Sequence, residues 1–323
     1  MSSPADDQRV VRTVLGDIAP EDLGATDYHE HLLMRSPLLP GDALDDIARS
    51  GAETQALVAA GIDALVELTP IGLGRDPDGL ATISAATGMH IVAATGVHRE
   101  AHYPLGHTVR AMDERMLVER FATEVEDGCA TSRDRAGARV RAGVIKCAVG
   151  YWSISPMERM VLAAAAAAQR RTGVAVICHL EMGTAAHEVV DMFAANGVPA
   201  DRLALAHADR NPDPGLHAEL TSRGVYLGYD GMARAKYWPD SILVDCLVRT
   251  AERGRADRLL LGGDVARRSS FRSYGGLPGM DYLPKVFAPR VAAEGGQDLL
   301  DQILIHNPAA LLSFAPASRD ASM

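Results

Sequence analysis

Six side chains of types that bind metal ions stand at or near the carboxyl ends of five apolar segments. They are His29 and His31 in residues 24–31, Lys146 in 144–149, His179 in 174–179, His207 in 203–207 and Asp264 in 259–264. Imidazole nitrogens and carboxylate oxygens are common ligands of zinc and related metals. One polar residue that closes a buried strand can arise by chance. Five strands that end this way predict one convergent site.

The four histidines favour metal binding when they are considered together. His29 and His31 are two residues apart, so on a strand both imidazoles point to the same side. Taken alone, this pair is explained equally well as hydrogen-bonded core histidines. With His179 and His207 added, four imidazoles would share one apolar cavity, and each would need its own polar partners. A shared metal centre satisfies them together.

Lys146 is the strongest single indication. Val144, Lys146 and Ala148 share one face of an apolar strand, so the amine is expected to be buried. Burial lowers the pKa of a lysine and favours the neutral amine. A neutral amine can add carbon dioxide to form a carbamate, whose oxygens can bridge two metals. The alternative is an ion pair between Lys146 and a buried carboxylate such as Asp264.

The segments that must position these residues alternate between strand and helix patterns. Strands are predicted at 24–31, 62–69, 90–96, 144–149, 174–179, 203–207, 225–228 and 259–264. Helices are predicted at 112–127, 156–172 and 184–196, with Gly173, Gly197 and Gly224 at helix ends. Eight such units predict an α/β protein with a single (β/α)8 TIM barrel domain over residues 1–323, and a metal centre at its C-terminal face.

A doubly wound open sheet is the second possibility for the fold. It is disfavoured because no glycine-rich fingerprint follows the first strand, where the sequence reads Asp-Tyr-His-Glu-His instead.

Composition limits the class of protein. The chain has 323 residues and 47% hydrophobic content, enough for one large core. Its net charge of −10 argues against a nucleic-acid partner. We expect no membrane partner, because the N-terminus lacks a signal pattern and no apolar run reaches the roughly 18–20 residues that cross a bilayer. Four cysteines without paired spacing fit buried thiols in a reducing compartment, so we expect a cytoplasmic protein.

These motifs resemble the phosphotriesterase family of the amidohydrolase superfamily along the whole chain. The resemblance includes residues 16–24 before the first histidine pair and 307–312 near the end. It implies two divalent metal ions: His29, His31 and Asp264 at the first site, His179 and His207 at the second, and carboxylated (carbamate) Lys146 bridging them. Zinc is the expected metal, with cobalt, manganese and iron as alternatives. The resemblance leaves a homodimer open as an alternative to a monomer.

The catalytic residues implied by this assignment are Asp264 and Lys146. Two metals lower the pKa of a bridging water and polarise a carbonyl or phosphoryl oxygen. Asp264 would then accept the proton during attack by the bridging hydroxide.

The small-molecule substrate is expected to be anionic or polyhydroxylated. The loops after the seventh and eighth strands carry Lys236, Arg267 and Arg272, and such loops overhang the active site of a barrel. Trp238 is expected to line the pocket. After the third strand, His98 and Tyr103 are candidates to contact hydroxyl groups. Family members that hydrolyse aryl phosphotriesters or acyl-homoserine lactones have an aromatic residue near position 98, and this chain is polar there.

The first functional hypothesis is a lactonase for a small anionic or sugar-derived lactone, which includes phosphorylated ones. The second is a hydrolase of phosphotriesters or N-acyl amides that uses the same metals. The third is a binding or regulatory protein with a structural metal. The complete ligand set argues against the third, since a structural site closes its coordination.

Overall fold

The structure, a computed structural model, describes residues 9–129, 137 and 139–316. Within these ranges an antiparallel hairpin precedes a sheet of eight parallel strands. The hairpin strands are β1 (Val11–Thr13) and β2 (Gly16–Ile18). The sheet contains β3 (Thr26–Glu30), β4 (Ala64–Glu67), β5 (His90–Gly96), β6 (Val144–Val149), β7 (Ala175–Leu180), β8 (Leu203–Ala206), β9 (Tyr226–Tyr229) and β10 (Leu259–Leu261).

The sheet closes into a barrel between its first and last strands. Consecutive strands from β3 to β10 are hydrogen-bonded neighbours. Just beyond β10, the backbone N–H of Asp264 donates to the carbonyl of His29, at 2.8 Å. The (β/α)8 barrel prediction is therefore confirmed and the open doubly wound sheet is excluded.

Glycine lets two strands of the barrel approach each other. Tyr28 of β3 points into the barrel and is fully buried. A Cβ added to Gly228 of β9 would lie 1.8 Å from the Tyr28 hydroxyl oxygen. Only glycine leaves room for that phenol, which hydrogen-bonds to Asp230 just after β9.

Ten helices among the described residues accompany the barrel strands. They are α1 (Ile47–Ala59), α2 (Pro77–Thr87), α3 (Glu114–Glu126), α4 (Pro156–Thr172), α5 (Ala186–Ala195), α6 (Pro214–Ser222), α7 (Asp240–Thr250), α8 (Ala288–Gly295), α9 (Gln297–Asp301) and α10 (Asn307–Leu312). The local sequence sets their ends. In α4, Ser155 and Glu158 form a capping box and Gly173 ends the helix in a left-handed conformation, φ 79°.

All eight predicted strands are present, with ends that differ from the predicted ones by up to three residues. The three predicted helices correspond to α3, α4 and α5. The hairpin β1–β2 was not predicted, because its strands have only three residues each. The four cysteines are buried and form no disulfide. Within the described residues, no helix combines the length and apolar character needed to span a bilayer.

Candidate metal centre

The six predicted ligands meet at the carboxyl ends of the barrel strands. Each is buried, with Lys146 0% exposed. A cavity of about 570 Å³ opens above them, and its walls include His29, His31, His179, His207 and Asp264. The structure thus brings together residues that lie up to 235 positions apart in the sequence.

One group of ligand atoms surrounds the Asp264 carboxylate. Its Oδ1 atom lies 3.5 Å from Nε2 of His29 and 3.6 Å from Nε2 of His31. Burial would raise the pKa of Asp264, but His207, His29 and Arg234 hold it well below its usual range. A carboxylate that stays ionised beside two imidazole nitrogens is a suitable set of donors for a divalent cation.

Asp230 fixes the orientation of two of the histidines. Its Oδ2 lies 3.0 Å from Nδ1 of His29, and its Oδ1 lies 2.6 Å from Nδ1 of His207. An ionised carboxylate only accepts hydrogen bonds, so both Nδ1 atoms carry the proton and both Nε2 atoms keep a lone pair. The donor atoms of Asp230, His29 and His207 also lie within 4.8 Å of one another, close enough to hold a metal ion. Because both of its oxygens are engaged by N–H groups, we interpret it as the residue that orients these ligands.

The other two histidines are oriented by different partners. The Thr69 hydroxyl donates to Glu67 at 2.6 Å and lies 2.8 Å from Nδ1 of His31, so it accepts from that nitrogen. Nε2 of His179 lies 3.0 Å from Oε2 of Glu181, which leaves Nδ1 of His179 with the lone pair. Each of the four imidazoles therefore has one nitrogen held by a protein acceptor and one nitrogen available to a metal.

Burial keeps the imidazoles of His29, His179 and His207 neutral. It lowers the pKa of His29 to about 3, assisted by the nearby charge of Lys146. It also lowers the pKa of His207, and it lowers that of His179 well below the usual value. Neutral imidazole is the form that binds a metal.

Lys146 lies inside the barrel beside this group. Its Nζ is 3.4 Å from Nε2 of His29. Burial lowers the pKa of Lys146, although Asp264 and Asp230 oppose the change. No carboxylate among the described residues lies within ion-pair distance of Nζ, which weakens the alternative of a simple ion pair. The amine therefore lies beside one of the predicted metal ligands.

Two ligands adopt backbone conformations that are costly for residues with a side chain. His207 has φ 63° and Asp264 has φ 47°, both in the left-handed region. Such conformations cost on the order of 1–3 kcal/mol and concentrate at functional sites. They turn both side chains toward the cavity where their strands end.

The predicted substrate residues divide into two groups. His98, Lys236 and Arg267 line the cavity. The ring of His98 lies 4.8 Å from that of His179, and burial lowers its pKa well below the usual value. Nζ of Lys236 lies 4.8 Å from the centre of the Tyr237 ring, and no described carboxylate forms an ion pair with it.

The structure does not place Tyr103, Trp238 or Arg272 on the cavity wall. Tyr103 is fully buried. Its hydroxyl is satisfied there, since it accepts from the His98 N–H and donates to the Ile71 carbonyl. Trp238 lies behind Arg210 and donates from Nε1 to the Arg210 carbonyl at 3.1 Å. Arg272 donates from Nε to the Pro278 carbonyl at 2.5 Å, a hydrogen bond within its own loop. In this structure each of the three side chains supports a loop, and substrate contact by them stays a prediction.

Sequence reasoning missed four residues of this site: Asp230, Glu181, Arg210 and Arg234. Asp230 directly follows an apolar strand, as Asp264 nearly does, and that shared pattern could have identified it. Glu181 and the two arginines lie in loops, where the sequence carries no comparable signal. Arg210 and Arg234 both contact Oδ2 of Asp264, at 3.0 and 3.2 Å.

The barrel carries oriented histidines, a buried lysine and an aspartate at its C-terminal face. These features define a metal-dependent barrel hydrolase. Residues 9–312 match the phosphotriesterase family, and the chain belongs to that family. It is therefore a hydrolase that acts on ester bonds. The family and the clustered histidine and aspartate groups indicate a binuclear metal site.

Individual relatives match over nearly the full length. The phospho-furanose lactonase of Mycoplasmopsis agalactiae is 31% identical over 97% of this chain and 94% of its own. The crystal structure of a lactonase from Listeria monocytogenes superimposes with a TM-score of 0.87 and 29% identity, covering 94% of this chain and 99% of that one. The crystal structure of the phosphotriesterase homology protein of Escherichia coli, with phosphate in its active site, superimposes with a TM-score of 0.83. Its sequence identity is 28%, and the match covers 90% of this chain and 99% of that one.

Proposed function

We propose that this protein is a lactonase that opens a small lactone carrying an anionic, sugar-derived group. His29, His31, His179, His207 and Asp264 would hold two divalent ions, zinc first among the candidates, with carboxylated Lys146 between them. When bound, such ions supply a hydroxide at neutral pH and polarise the carbonyl group. Asp264, which is ionised, accepts the proton released during attack and can return it to the departing oxygen.

The charge of the cavity wall is the observation that carries the substrate class. The cavity is lined by five cationic side chains and two carboxylates, a formal charge of +3 (five minus two) in a chain of net charge −10. The cations are Arg99, Arg210, Arg234, Lys236 and Arg267. Arg99, Arg210 and Arg234 contact Glu181 or Asp264. Arg267 lies 3.5 Å from Asp42 outside this set. Lys236 is therefore the cavity cation without a carboxylate partner among the described residues, and it is the first candidate to receive an anion.

Two histidines of the cavity wall suit a polar substrate. His98 and His102 stack with ring centres 4.1 Å apart. Burial lowers the pKa of His102 to about 4, so both rings are neutral and can hydrogen-bond with hydroxyl groups. Neutral imidazoles that can contact hydroxyl groups, together with the unpaired Lys236, favour a phosphorylated sugar lactone over an apolar one. The phospho-furanose lactonase among the relatives agrees with this choice.

The test is a screen of the purified protein with defined metal content. Phosphorylated and unphosphorylated furanose lactones, a phosphotriester and an N-acyl amide would each be assayed with and without chelator. We expect chelator-sensitive opening of lactones, with the phosphorylated ones preferred. Faster turnover of the phosphotriester or the amide would select the alternative activity. Two bound metals with no turnover of any substrate would indicate a binding protein instead.

A further inference from the structure

Arg210 is buried in the cavity wall, and part of its guanidinium has no partner. Its side chain is 16% exposed and its Nη2 lies 3.0 Å from Oδ2 of Asp264. Its Nε is buried and has no hydrogen-bond acceptor among the described residues. A buried donor without an acceptor is costly, and such groups are often completed by a ligand.

The backbone of Arg210 is held in place. Its N–H donates to the carbonyl of His207 at 3.1 Å, and its own carbonyl accepts from Nε1 of Trp238 at 3.1 Å. These contacts fix the start of the side chain relative to a predicted metal ligand. The guanidinium is therefore positioned before any substrate arrives.

Arg234 provides an internal comparison. It also reaches Oδ2 of Asp264, at 3.2 Å. Its other donors are directed to the backbone carbonyls of Asp230, Gly263 and Asp264. Arg234 thus holds together the ends of β9 and β10, whereas Arg210 retains donor capacity at the cavity.

We propose that Arg210 is a catalytic residue that donates a hydrogen bond to the ring oxygen as it leaves the acyl carbon. The proposal rests on the proposed function. In lactone opening, the oxygen of water bonds to the acyl carbon and the bond from that carbon to the ring oxygen breaks. The electron pair of the broken bond stays on the ring oxygen. The proton that water gave to Asp264 passes to that oxygen, and the product is a hydroxy acid.

The division of labour between the two residues follows from their chemistry. Arginine stays charged in proteins and cannot supply the proton, so it can only stabilise the developing negative charge. Asp264 can carry the proton, but a protonated carboxyl group has no charge with which to stabilise the alkoxide. Placing the guanidinium 3.0 Å from the carboxylate puts charge stabilisation and proton return at one place.

The experiment compares two lactones whose leaving oxygens differ in basicity. Opening of δ-valerolactone releases a strongly basic alkoxide, and opening of dihydrocoumarin releases a weakly basic phenolate. For Arg210→Met we expect kcat on the alkoxide lactone to fall about 10²-fold, the usual loss for one donor to a developing oxyanion. The loss on the phenolate lactone should be at least tenfold smaller, because that leaving group needs less stabilisation. Arg210→Lys should recover part of the difference.

Arg234→Met is the matched control, since it removes a guanidinium from the same carboxylate. We expect it to lower kcat on both lactones equally, as a structural defect does, and thermal unfolding would monitor the folding of each variant. Equal losses in Arg210→Met would overturn the proposal. A rise in KM confined to anionic substrates would also overturn it, by making Arg210 a ligand of the substrate anion. If the wild-type protein opens no lactone, the proposed function fails first and the inference fails with it.

Discussion

Nδ1 of His29 lies 3.0 Å from Oδ2 of Asp230, and this contact makes Nε2 of His29 the nitrogen that faces Asp264 and Lys146. The same carboxylate holds His207. One residue from the end of β9 therefore sets the tautomer of two ligands that we assign to different metal ions. Partners of this kind commonly tune metal affinity.

Replacing Asp230 should weaken metal binding without removing a ligand. For Asp230→Asn we expect metal affinity to fall about 10–100-fold, because the amide can accept from only one of the two imidazoles and offers an N–H to the other. Competition with a chromophoric chelator would measure the change. Asp191→Asn is the control, since Asp191 pairs with Arg223 on the surface, 69% exposed. Unchanged affinity in Asp230→Asn would mean that this carboxylate does not orient the ligands.

Carboxylation of Lys146 can be observed directly, because the sequence contains only two other lysines, Lys236 and Lys285. Lys236 is exposed, and the side chain of Lys285 is 55% exposed. We expect one carbamate carbon signal in the NMR spectrum of metal-loaded protein equilibrated with ¹³C-bicarbonate. Lys146→Ala should remove that signal and abolish metal-dependent turnover, while Lys285→Ala should keep the signal. A spectrum without the signal in metal-replete wild-type protein would end the carbamate assignment.

Closure of the barrel depends on the absence of a side chain at position 228. Gly228→Ala should lower the free energy of unfolding by about 1–3 kcal/mol or more, because the methyl group overlaps Tyr28. Gly51→Ala is the matched control. Gly51 lies within α1, and the nearest atom to an added Cβ is 3.8 Å away, on Ile83. For Gly51→Ala we expect the free energy of unfolding to stay the same or to rise by up to about 1 kcal/mol, because alanine has the higher helix propensity. Urea titrations would compare the two, and equal effects would contradict the steric argument.

A buried ion pair outside the barrel should dominate the acid sensitivity of α3. Glu124 lies 2.7 and 2.9 Å from the two Nη atoms of Arg75 and accepts from Thr95 at 2.6 Å. Glu124→Gln should cost about 3–5 kcal/mol of stability at neutral pH, because it leaves a buried guanidinium without its partner. The exposed pair of Asp245 with Arg249 supplies the control, where Asp245→Asn should cost less than about 1 kcal/mol.

The pH dependence of this effect has a definite sign. Burial raises the pKa of Glu124, but Arg75 and Thr95 outweigh it and hold the pKa below its usual value. A carboxyl with a lowered pKa stabilises the fold above its unfolded pKa, about 4.3, and loses that contribution as pH falls through the folded value. The difference between wild type and Glu124→Gln should therefore narrow below about pH 4. A constant difference from neutral to acid pH would show that the ion pair is not its source.

The ligand-bearing strands could be predicted because their signals are local. An apolar run followed by His179 or His207 indicates a strand and its end from neighbouring residues alone. The orienting contacts could not be predicted, because Asp230 meets His29 only after the barrel closes across 201 residues. The spacing of residues in the sequence predicts which side chains meet at the site. It does not predict which imidazole nitrogen of each histidine is available to a metal.

Residues with both apolar and polar atoms were the least predictable. Tyr103 and Trp238 can line a pocket or support a loop, and their sequence context is similar in both cases. The outcome depended on whether a backbone group lay within reach of the polar atom. Ile71 and Arg210 provide those groups, so both aromatic side chains hydrogen-bond to the backbone of a neighbouring loop. Lys236 has no such partner and remained at the cavity.

The availability of Lys236 leads to a prediction about substrate charge. If it binds the anionic group of the substrate, Lys236→Met should raise KM for a phosphorylated lactone at least about tenfold, which corresponds to losing roughly 1.4 kcal/mol of charge-assisted binding. KM for the uncharged lactone and kcat for both should change little, because the ring contact of Lys236 is with Tyr237 and not with a predicted metal ligand. Arg249→Met, which removes one positive charge from the outer surface of α7, controls for net charge. An equal rise in KM for charged and neutral lactones would assign Lys236 to shaping the pocket, and the anionic substrate class would then lose its main support.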